Sequence, residues 1–506
     1  MARSLISIDD LSTDEIEAIF ELADRFLDEM ATPGKPYRVR GRRTLARDFI
    51  LSTLFYEPST RTRLSFESAM LRLGGQVIST AEGASTSASK GETIADTVRV
   101  VENYADIMVI RHAYEGAAMV AAEYSDLPVI NAGDGGHEHP TQTLCDLYTL
   151  RATHKQKNKG KDLSFNDVTI ELRGDLKHGR TVHSLVYALA RFGARIIPSP
   201  APGCDLPTHV KQRLARDYNC FLLRKHEIDD LSDDDLGSED FPEFVYVTPK
   251  EPHQRTLWTG AEASVWFRLS LEQRKALREM KTVDFFYATR FQKERHESSG
   301  EEGATEDYPV IDAKMLKEKR YRQTQVMHPL PRVDELSYEI DHDPRGVYFK
   351  QAAYGVPVRM ALVAALLELF PALLKSAVEP RYQIFSNVEG VRCANARCVT
   401  RDENEQRYLS PKFAIVSETP LTLRCVYCDI EYEPSIVSRS SKKKYTDDLS
   451  EWREIYERTP HDLVLFGSEQ EAIDAGHQRR RGKKRSTTSK EAETPTPTET
   501  ETPTAK

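Results

Sequence analysis

The most informative residues of this chain are Ser59-Thr60-Arg61-Thr62, inside the stretch Phe55-Tyr56-Glu57-Pro58-Ser59-Thr60-Arg61-Thr62-Arg63-Leu64-Ser65-Phe66-Glu67. Pro58 and the hydroxyls open a helix whose apolar positions follow. A helix start offers unpaired backbone N–H groups and the positive end of a dipole. Hydroxyls and an arginine beside that end make a phosphate cradle. The plainer alternative is an ordinary Ser/Thr cap followed by surface charge.

Further chemistry-bearing residues follow short apolar runs. The run Asp106 to Ile110 ends in Arg111-His112, and Pro128 to Gly135 leads through a glycine turn to His139-Pro140-Thr141-Gln142. Val168 to Leu172 precedes Gly174-Asp175 and Gly179-Arg180-Thr181. Val283 to Ala288 ends at Arg290-Phe291-Gln292, and Gln325 to Met327 ends at His328-Pro329-Leu330-Pro331-Arg332. Short apolar strands alternating with helical segments predict α/β layers with mainly parallel sheets. Ligands of such sheets bind at the carboxyl ends of the strands. That rule places Arg111, His139, Arg180, Arg290 and His328 around one crevice.

With 506 residues the chain should hold two or three domains. Its 70 basic and 79 acidic residues give a net charge of -9, which makes nucleic acid an unfavoured partner. No apolar stretch is long enough to span a bilayer. Asp9, Asp10 and Asp14 interrupt any leader-like start, so a cytoplasmic protein with reduced cysteines is expected. Four of the 7 cysteines form two pairs, Cys393-x4-Cys398 and Cys425-x2-Cys428, 26 residues apart. That spacing reads as one tetrahedral, structural Zn2+ site. Cys145, Cys204 and Cys220 show no such pattern.

These motifs, with Lys90-Gly91-Glu92 and Val182-His183-Ser184, identify residues 1 to 375 as resembling the aspartate carbamoyltransferase catalytic chain. Ornithine-using relatives carry a cysteine after the histidine of the last motif; Pro329 stands there, which favours aspartate. The resemblance implies two doubly wound parallel-sheet domains. Ser59, Thr60, Arg61, Thr62 and Arg111 would hold the phosphate of carbamoyl phosphate. Thr62, Arg111 and His139 would polarise the carbamoyl oxygen, and Gln142 would meet the carbamoyl amide. Arg180, Arg290 and Gln292 would fix the carboxylates of L-aspartate, with Leu330 and Pro331 against the substrates. Lys90, with Thr86 or Ser87, would reach in from the adjacent subunit of a homotrimer or a dimer of trimers. No cofactor is implied for catalysis.

Around Asn387 to Pro434 the chain is similar to the zinc domain of the family's regulatory chain, without the nucleotide-binding domain that normally precedes it. A fusion without triphosphate feedback is the expectation. The resulting domain plan is 1–150 for carbamoyl phosphate, completed by a C-terminal helix near 355–375, and 151–350 for aspartate. An insertion near 229–283 begins with an acidic run. A small β-rich four-cysteine domain occupies 385–445, and a disordered tail 478–506. A different amine acceptor, or a zinc-stabilised scaffold using the basic run Arg479 to Arg485, are the rival readings.

Overall fold

The computed structural model describes residues 3–81, 91–158, 160–218, 220, 283–293, 296, 308–370, 373–374, 381–386, 393–402 and 404–480. Thr86, Ser87, Lys90 and the acidic run of the insertion lie outside the described residues.

Chain contacts divide the protein into two units, Met1–Asn387 with Arg392–Tyr432, and Val388–Val391 with Glu433–Lys506. The first unit opens with helix α1 (Thr13–Met30). Its start is a capping box: the Ser12 hydroxyl accepts from the Glu15 amide, and the Glu15 carboxylate accepts from the Ser12 amide. Ile16, Ile19, Phe20 and Ala23 are buried at helical spacing. Strand β1 (Ile50–Phe55) then leads through Glu57–Ser59 to helix α2 (Thr60–Leu73). Strand β2 (Gln76–Ala81), helix α3 (Ile94–Val101), strand β3 (Ile107–His112), helix α4 (Ala117–Tyr124), strand β4 (Val129–Asp134) and helix α5 (Pro140–Lys157) follow. The four strands form a parallel sheet in the order β2-β1-β3-β4.

A second parallel sheet repeats this topology. Strand β5 (Thr169–Gly174), helix α6 (Arg180–Arg191), strand β6 (Arg195–Pro200), helix α7 (Thr208–Tyr218), strand β7 (Phe285–Ala288) and strand β8 (Gln325–Met327) give the order β8-β7-β5-β6. Each sheet reverses its winding between its first and third strands, β1/β3 in one and β5/β7 in the other. A crevice opens at the carboxyl ends of such a pair. The central strands are largely buried on both faces; β7 reads as a continuous apolar run, whereas β5 alternates through Glu171 and Arg173.

Helix α8 (Tyr348–Leu366) packs against α1, α2 and α5. It starts at residue 348 and ends at 366, one turn or more before both ends of the stretch expected near 355–375. Pro357 lies inside it, and Glu368, at φ +53°, follows its end. Strands β9 (Ile384–Ser386), β10 (Lys412–Glu418), β11 (Leu421–Cys425) and β12 (Glu431–Tyr432) form an antiparallel sheet that carries the second cysteine pair.

The second unit holds strands β13 (Ile436–Arg439), β14 (Lys444–Thr446), β15 (Leu463–Phe466) and β16 (Gln478–Arg479), in the order β15-β13-β14-β16. Helices α9 (Glu451–Arg458) and α10 (Glu469–Asp474) complete it. This element set runs on past 445 and includes 478–479, which the sequence plan had given to a tail. The strands are short and separated by charged segments, so no period announces them. Residues 481–506 lie outside the described residues.

Candidate active site and metal centre

The two switch points face one cavity of about 620 Å³ in the first unit. The exit of β1 gives it Glu57 to Thr62, and the end of β3 gives it Arg111. The turn after β4 contributes His139, the exit of β5 Arg180, the exit of β7 Thr289, Arg290 and Gln292, and the exit of β8 His328 to Pro331. Every described residue expected in the site lines it: Ser59, Thr60, Arg61, Thr62, Arg111, His139, Gln142, Arg180, Arg290, Gln292, Leu330 and Pro331.

Five arginines border the cavity (Arg61, Arg111, Arg180, Arg290 and Arg359), and Glu57 is the one carboxylate among the described residues that line it. Ser59 occupies the cap position of α2 but makes no side-chain cap bond. The plain capping role therefore does not account for it. Arg61 donates to the Leu330 carbonyl at 2.6 Å. Burial and the nearby Arg290 both lower the Arg61 pKa from its ordinary value. A nearby like charge disfavours the charged form, so an anion bound between them would be favoured. Leu330 itself has φ +54°, a costly conformation for a leucine. It is held at both ends, since its amide donates to His328 Nδ1 at 2.7 Å while its carbonyl takes Arg61.

Arg180 stands at the first turn of α6. It donates to the Gly135 carbonyl at 2.9 Å and to Glu57 Oε2 at 2.7 Å, while Arg111 lies 3.1 Å from the same oxygen. Glu57 thus bridges an arginine from each domain. Gly133 makes room for this: φ is +113°, and a Cβ there would sit 2.9 Å from the Arg180 guanidinium. Gln292 donates to the His178 carbonyl at 2.8 Å, which fixes the loop after β7 against the turn after β5.

His139 precedes Pro140, the first residue of α5, and its amide donates to Ser184 Oγ at 2.7 Å. Burial, then Arg180, Arg111 and Arg359, push its pKa well below the ordinary imidazole value. The ring is neutral at pH 7. Thr141 Oγ1 lies 3.4 Å from Nδ1. Gln142 donates to Asp146 Oδ1 at 2.7 Å.

The sequence reading passed over three residues that shape the site. Glu57 sits in the quoted motif but was not assigned. Arg359, 4 % exposed, bonds Ser65 Oγ at 3.1 Å and lies over the Phe66 ring, with no carboxylate bonded to it among the described residues. Asp146 accepts from Gln142, Gln351 and Tyr287. The available signal was isolation: Arg359 is the sole charge between Lys350 and Glu368, and Asp146 the sole acid of α5. Charges so placed in apolar helices are expected to be paired or functional.

Elsewhere in the same unit, Cys393, Cys398, Cys425 and Cys428 are all buried, and their sulfurs lie within 4.8 Å of one another. The Cys393–Cys428 and Cys398–Cys425 pairs are 3.3 and 3.8 Å apart. Tetrahedral metal–sulfur bonds of about 2.3 Å set sulfurs about 3.8 Å apart, so four thiolates fit one ion here. This segment docks on the carbamoyl-side domain by backbone pairing. The Glu115 amide donates to the Arg397 carbonyl at 2.9 Å, and the Val399 amide to the Glu115 carbonyl at 2.8 Å. Asp429 bonds His137 at 3.0 Å and also Arg213 of α7, and Arg424 pairs with Asp217 at 2.7 Å. Gly116 (φ +85°) lies so close to Tyr427 that a Cβ would meet it at 2.5 Å.

A cationic cleft lined by two parallel-sheet domains defines a protein that brings two anions together. Residues 3–152 match the aspartate/ornithine carbamoyltransferase, carbamoyl-P binding domain, and residues 242–366 the Asp/Orn binding domain of the same family. Residues 386–438 match the aspartate carbamoyltransferase regulatory chain, metal binding domain. The Asp/Orn match begins inside the stretch read as an insertion, although β5 and β6 upstream share the sheet of β7 and β8. An aspartate carbamoyltransferase catalytic subunit of Clostridium botulinum is 43% identical over 367 residues, 72% of this chain and 98% of the relative. The homonymous subunit of Clostridium acetobutylicum is 42% identical over 366 residues, with the same coverage. The solved catalytic subunit of M. jannaschii aspartate transcarbamoylase superposes with a TM-score of 0.52 at 37% identity, over 73% of this chain and 99% of that one. The Trypanosoma cruzi enzyme in complex with carbamoyl phosphate gives 0.52 at 31% identity, over 72% and 95%. The chain belongs to the aspartate carbamoyltransferase family, and it carries a metal-binding domain of the regulatory-chain type on the same polypeptide.

Proposed function

We propose that this chain transfers the carbamoyl group of carbamoyl phosphate to the amine of L-aspartate, giving N-carbamoyl-L-aspartate and phosphate for pyrimidine synthesis. The observation that carries the reading is the charge of the cavity, five arginines against one glutamate among the described residues that line it. Two anionic reactants repel each other, and guanidinium groups that fork onto phosphate and carboxylate offset that repulsion.

In this reading Ser59, Thr60, Arg61 and Thr62 hold the phosphate at the start of α2, with Arg111 opposite. The aspartate amine attacks the carbamoyl carbon, charge develops on the carbamoyl oxygen, and phosphate leaves. Thr62, Arg111 and His139 point donors at that oxygen. In this reading Nδ1 takes the Thr141 hydroxyl hydrogen, so neutral His139 carries its proton on Nε2 and donates it as a hydrogen bond to the oxyanion. Gln142 gives its N–H to Asp146, so its oxygen is oriented to accept from the carbamoyl amide. Arg180, Arg290 and Gln292 hold aspartate's carboxylates, and Leu330 and Pro331 back the reactants. Positioning of this kind can lower a barrier by about 7–11 kcal/mol.

Lys90, with Thr86 or Ser87, completes the site of a neighbouring subunit, in a homotrimer or a pair of trimers. The four cysteines hold one Zn2+, which ties the two halves of their domain together and takes no part in transfer. Nucleic acid and membrane are not partners in this reading, and the compartment is the cytoplasm. Among the described residues no helix is long and apolar enough to cross a membrane.

The test is carbamoyl transfer by the purified chain with L-aspartate or L-ornithine. Carbamoyl-aspartate formation, lost in Arg61→Ala, is expected. Activity with ornithine alone would overturn the roles given to Arg290 and Gln292.

A further inference from the structure

Outside the cavity, three side chains of metal-binding type meet in the second parallel-sheet domain. Asp175 follows β5, Cys204 lies in the turn after β6, and His296 belongs to the segment after β7 that also carries Arg290 and Gln292. All three are buried. His296 Nε2 is 3.1 Å from Asp175 Oδ2 and 3.9 Å from Cys204 Sγ, and the three ligand atoms lie within 4.8 Å of one another. None of them lines the cavity.

His296 Nε2 faces both partners at once. Nε2 carries either one hydrogen or one lone pair. As N–H it serves Asp175, and the thiol faces the same hydrogen. As a lone pair it takes the thiol hydrogen and confronts the carboxylate. A cation accepts electron pairs from all three together.

We propose that Asp175, Cys204 and His296 form a second metal site, separate from the four-cysteine centre, for a borderline divalent cation such as Zn2+. A thiolate, an imidazole and a carboxylate are the donor types that suit this ion, and three protein ligands leave a fourth position for water. Bonds of about 2.0–2.3 Å set ligand atoms about 3.3–3.7 Å apart. The two distances to Nε2 already lie within a few tenths of an ångström of that range. Binding sends the thiol proton to solvent and places the imidazole proton on Nδ1. The Phe291 ring, stacked 4.3 Å from His296 at 18°, sets the plane of the imidazole.

The ion has a route to the substrate half of the cleft. Asp175 Oδ2 also accepts from the Gln292 amide at 3.2 Å. Asp175 Oδ1 accepts from the His178 amide at 3.0 Å, and the His178 carbonyl takes the Gln292 side chain. An ion on Asp175 and His296 therefore pins the turn before Arg180 to the loop of Arg290 and Gln292. This consequence rests on the proposed role of those residues in holding aspartate; the metal site itself does not.

The experiment is equilibrium dialysis of the full chain against Zn2+ in a weakly chelating buffer, with metal counted per chain. Two equivalents are expected in the wild type, and one in Cys204→Ser and in His296→Gln. One equivalent in the wild type, or two in both variants, would overturn the proposal. The wild-type count is decisive even if a variant fails to fold. His296→Cys, which keeps a ligand, should restore the second equivalent, and its failure to do so counts against the site. Loss of the ion should raise the KM for aspartate about tenfold, with kcat changed less. An unchanged KM with the second equivalent gone would overturn the coupling and leave the site standing. A wild type that binds two ions and transfers no carbamoyl group would count against the enzymatic reading alone.

Discussion

Replacing Asp146 by asparagine should change how the stability of this protein depends on pH. The carboxyl is fully buried on α5. Oδ1 accepts from Gln142 and from Gln351, each at 2.7 Å, and Oδ2 from the Tyr287 hydroxyl at 2.8 Å. Burial nevertheless dominates and raises its pKa from 3.8 to about 7, against the pull of Gln351, Tyr287, Gln142 and Arg359. The unfolded carboxyl has already lost its proton at pH 5, while the folded one keeps it until about pH 7. The folded state binds more protons across this window, so stability falls as pH rises through it. The difference between the two pKa values corresponds to about 4 kcal/mol when both states are ionised, of which about 2.5 kcal/mol develops between pH 5 and pH 8. Asparagine keeps an oxygen for the two glutamine amides and does not ionise, and the Tyr287 hydroxyl can turn to accept from it. Urea unfolding of both proteins at pH 5, 6.5 and 8 should show the variant gaining about 2.5 kcal/mol on the wild type over that range. Parallel curves would refute the reasoning. Asp146→Ala is the control: it strands the buried Gln351 amide and the half-buried Gln142 amide and should be destabilised at every pH by about 2–4 kcal/mol.

Glu57→Gln removes the carboxylate shared by Arg111 and Arg180, and steady-state kinetics should show kcat/KM for aspartate reduced about tenfold or more. Unchanged kinetics would mean that the bridge has no part in the reaction. Gly116→Val drives a branched side chain into Tyr427 and should loosen the cysteine segment, read as faster hydrogen exchange at residues 393–432 with the exchange of α5 retained. Cys425→Ser should abolish the metal that survives dialysis against EDTA and lower the melting temperature, since structural zinc contributes about 10–16 kcal/mol in small zinc domains. A variant that keeps as many ions per chain as the wild type through that dialysis would show that three cysteines suffice.

Much of the chemistry could be read in the linear chain because it is encoded locally. A strand exit, a helix start and a run of hydroxyls with arginine occupy consecutive residues, so Ser59 to Thr62, His139 to Gln142 and Arg290 to Gln292 announce themselves. The cysteine pairs do so for the same reason, each being a short turn. The fold class followed from apolar runs of strand length. The small sheet from Ile436 to Arg479 did not, because its strands pair across long charged gaps. Glu57, Arg359 and Asp146 escaped notice as site residues for a related reason. Each owes its role to partners far away in sequence: Arg180 for Glu57, Ser65 for Arg359, and Tyr287 and Gln351 for Asp146.

The sequence alone determined that the site holds anions and which cysteines could share a metal, since those properties belong to side-chain chemistry and close spacing. The strand-end rule already placed Arg111, Arg180 and Arg290 around one crevice, but only the tertiary structure decided that Arg359 and Glu57 join them there. It also decided that the metal domain docks on Glu115, Arg213 and Asp217 of its own chain. The physical reason is winding: both sheets reverse direction at their central strands, and that reversal brings loops distant in sequence to a common mouth.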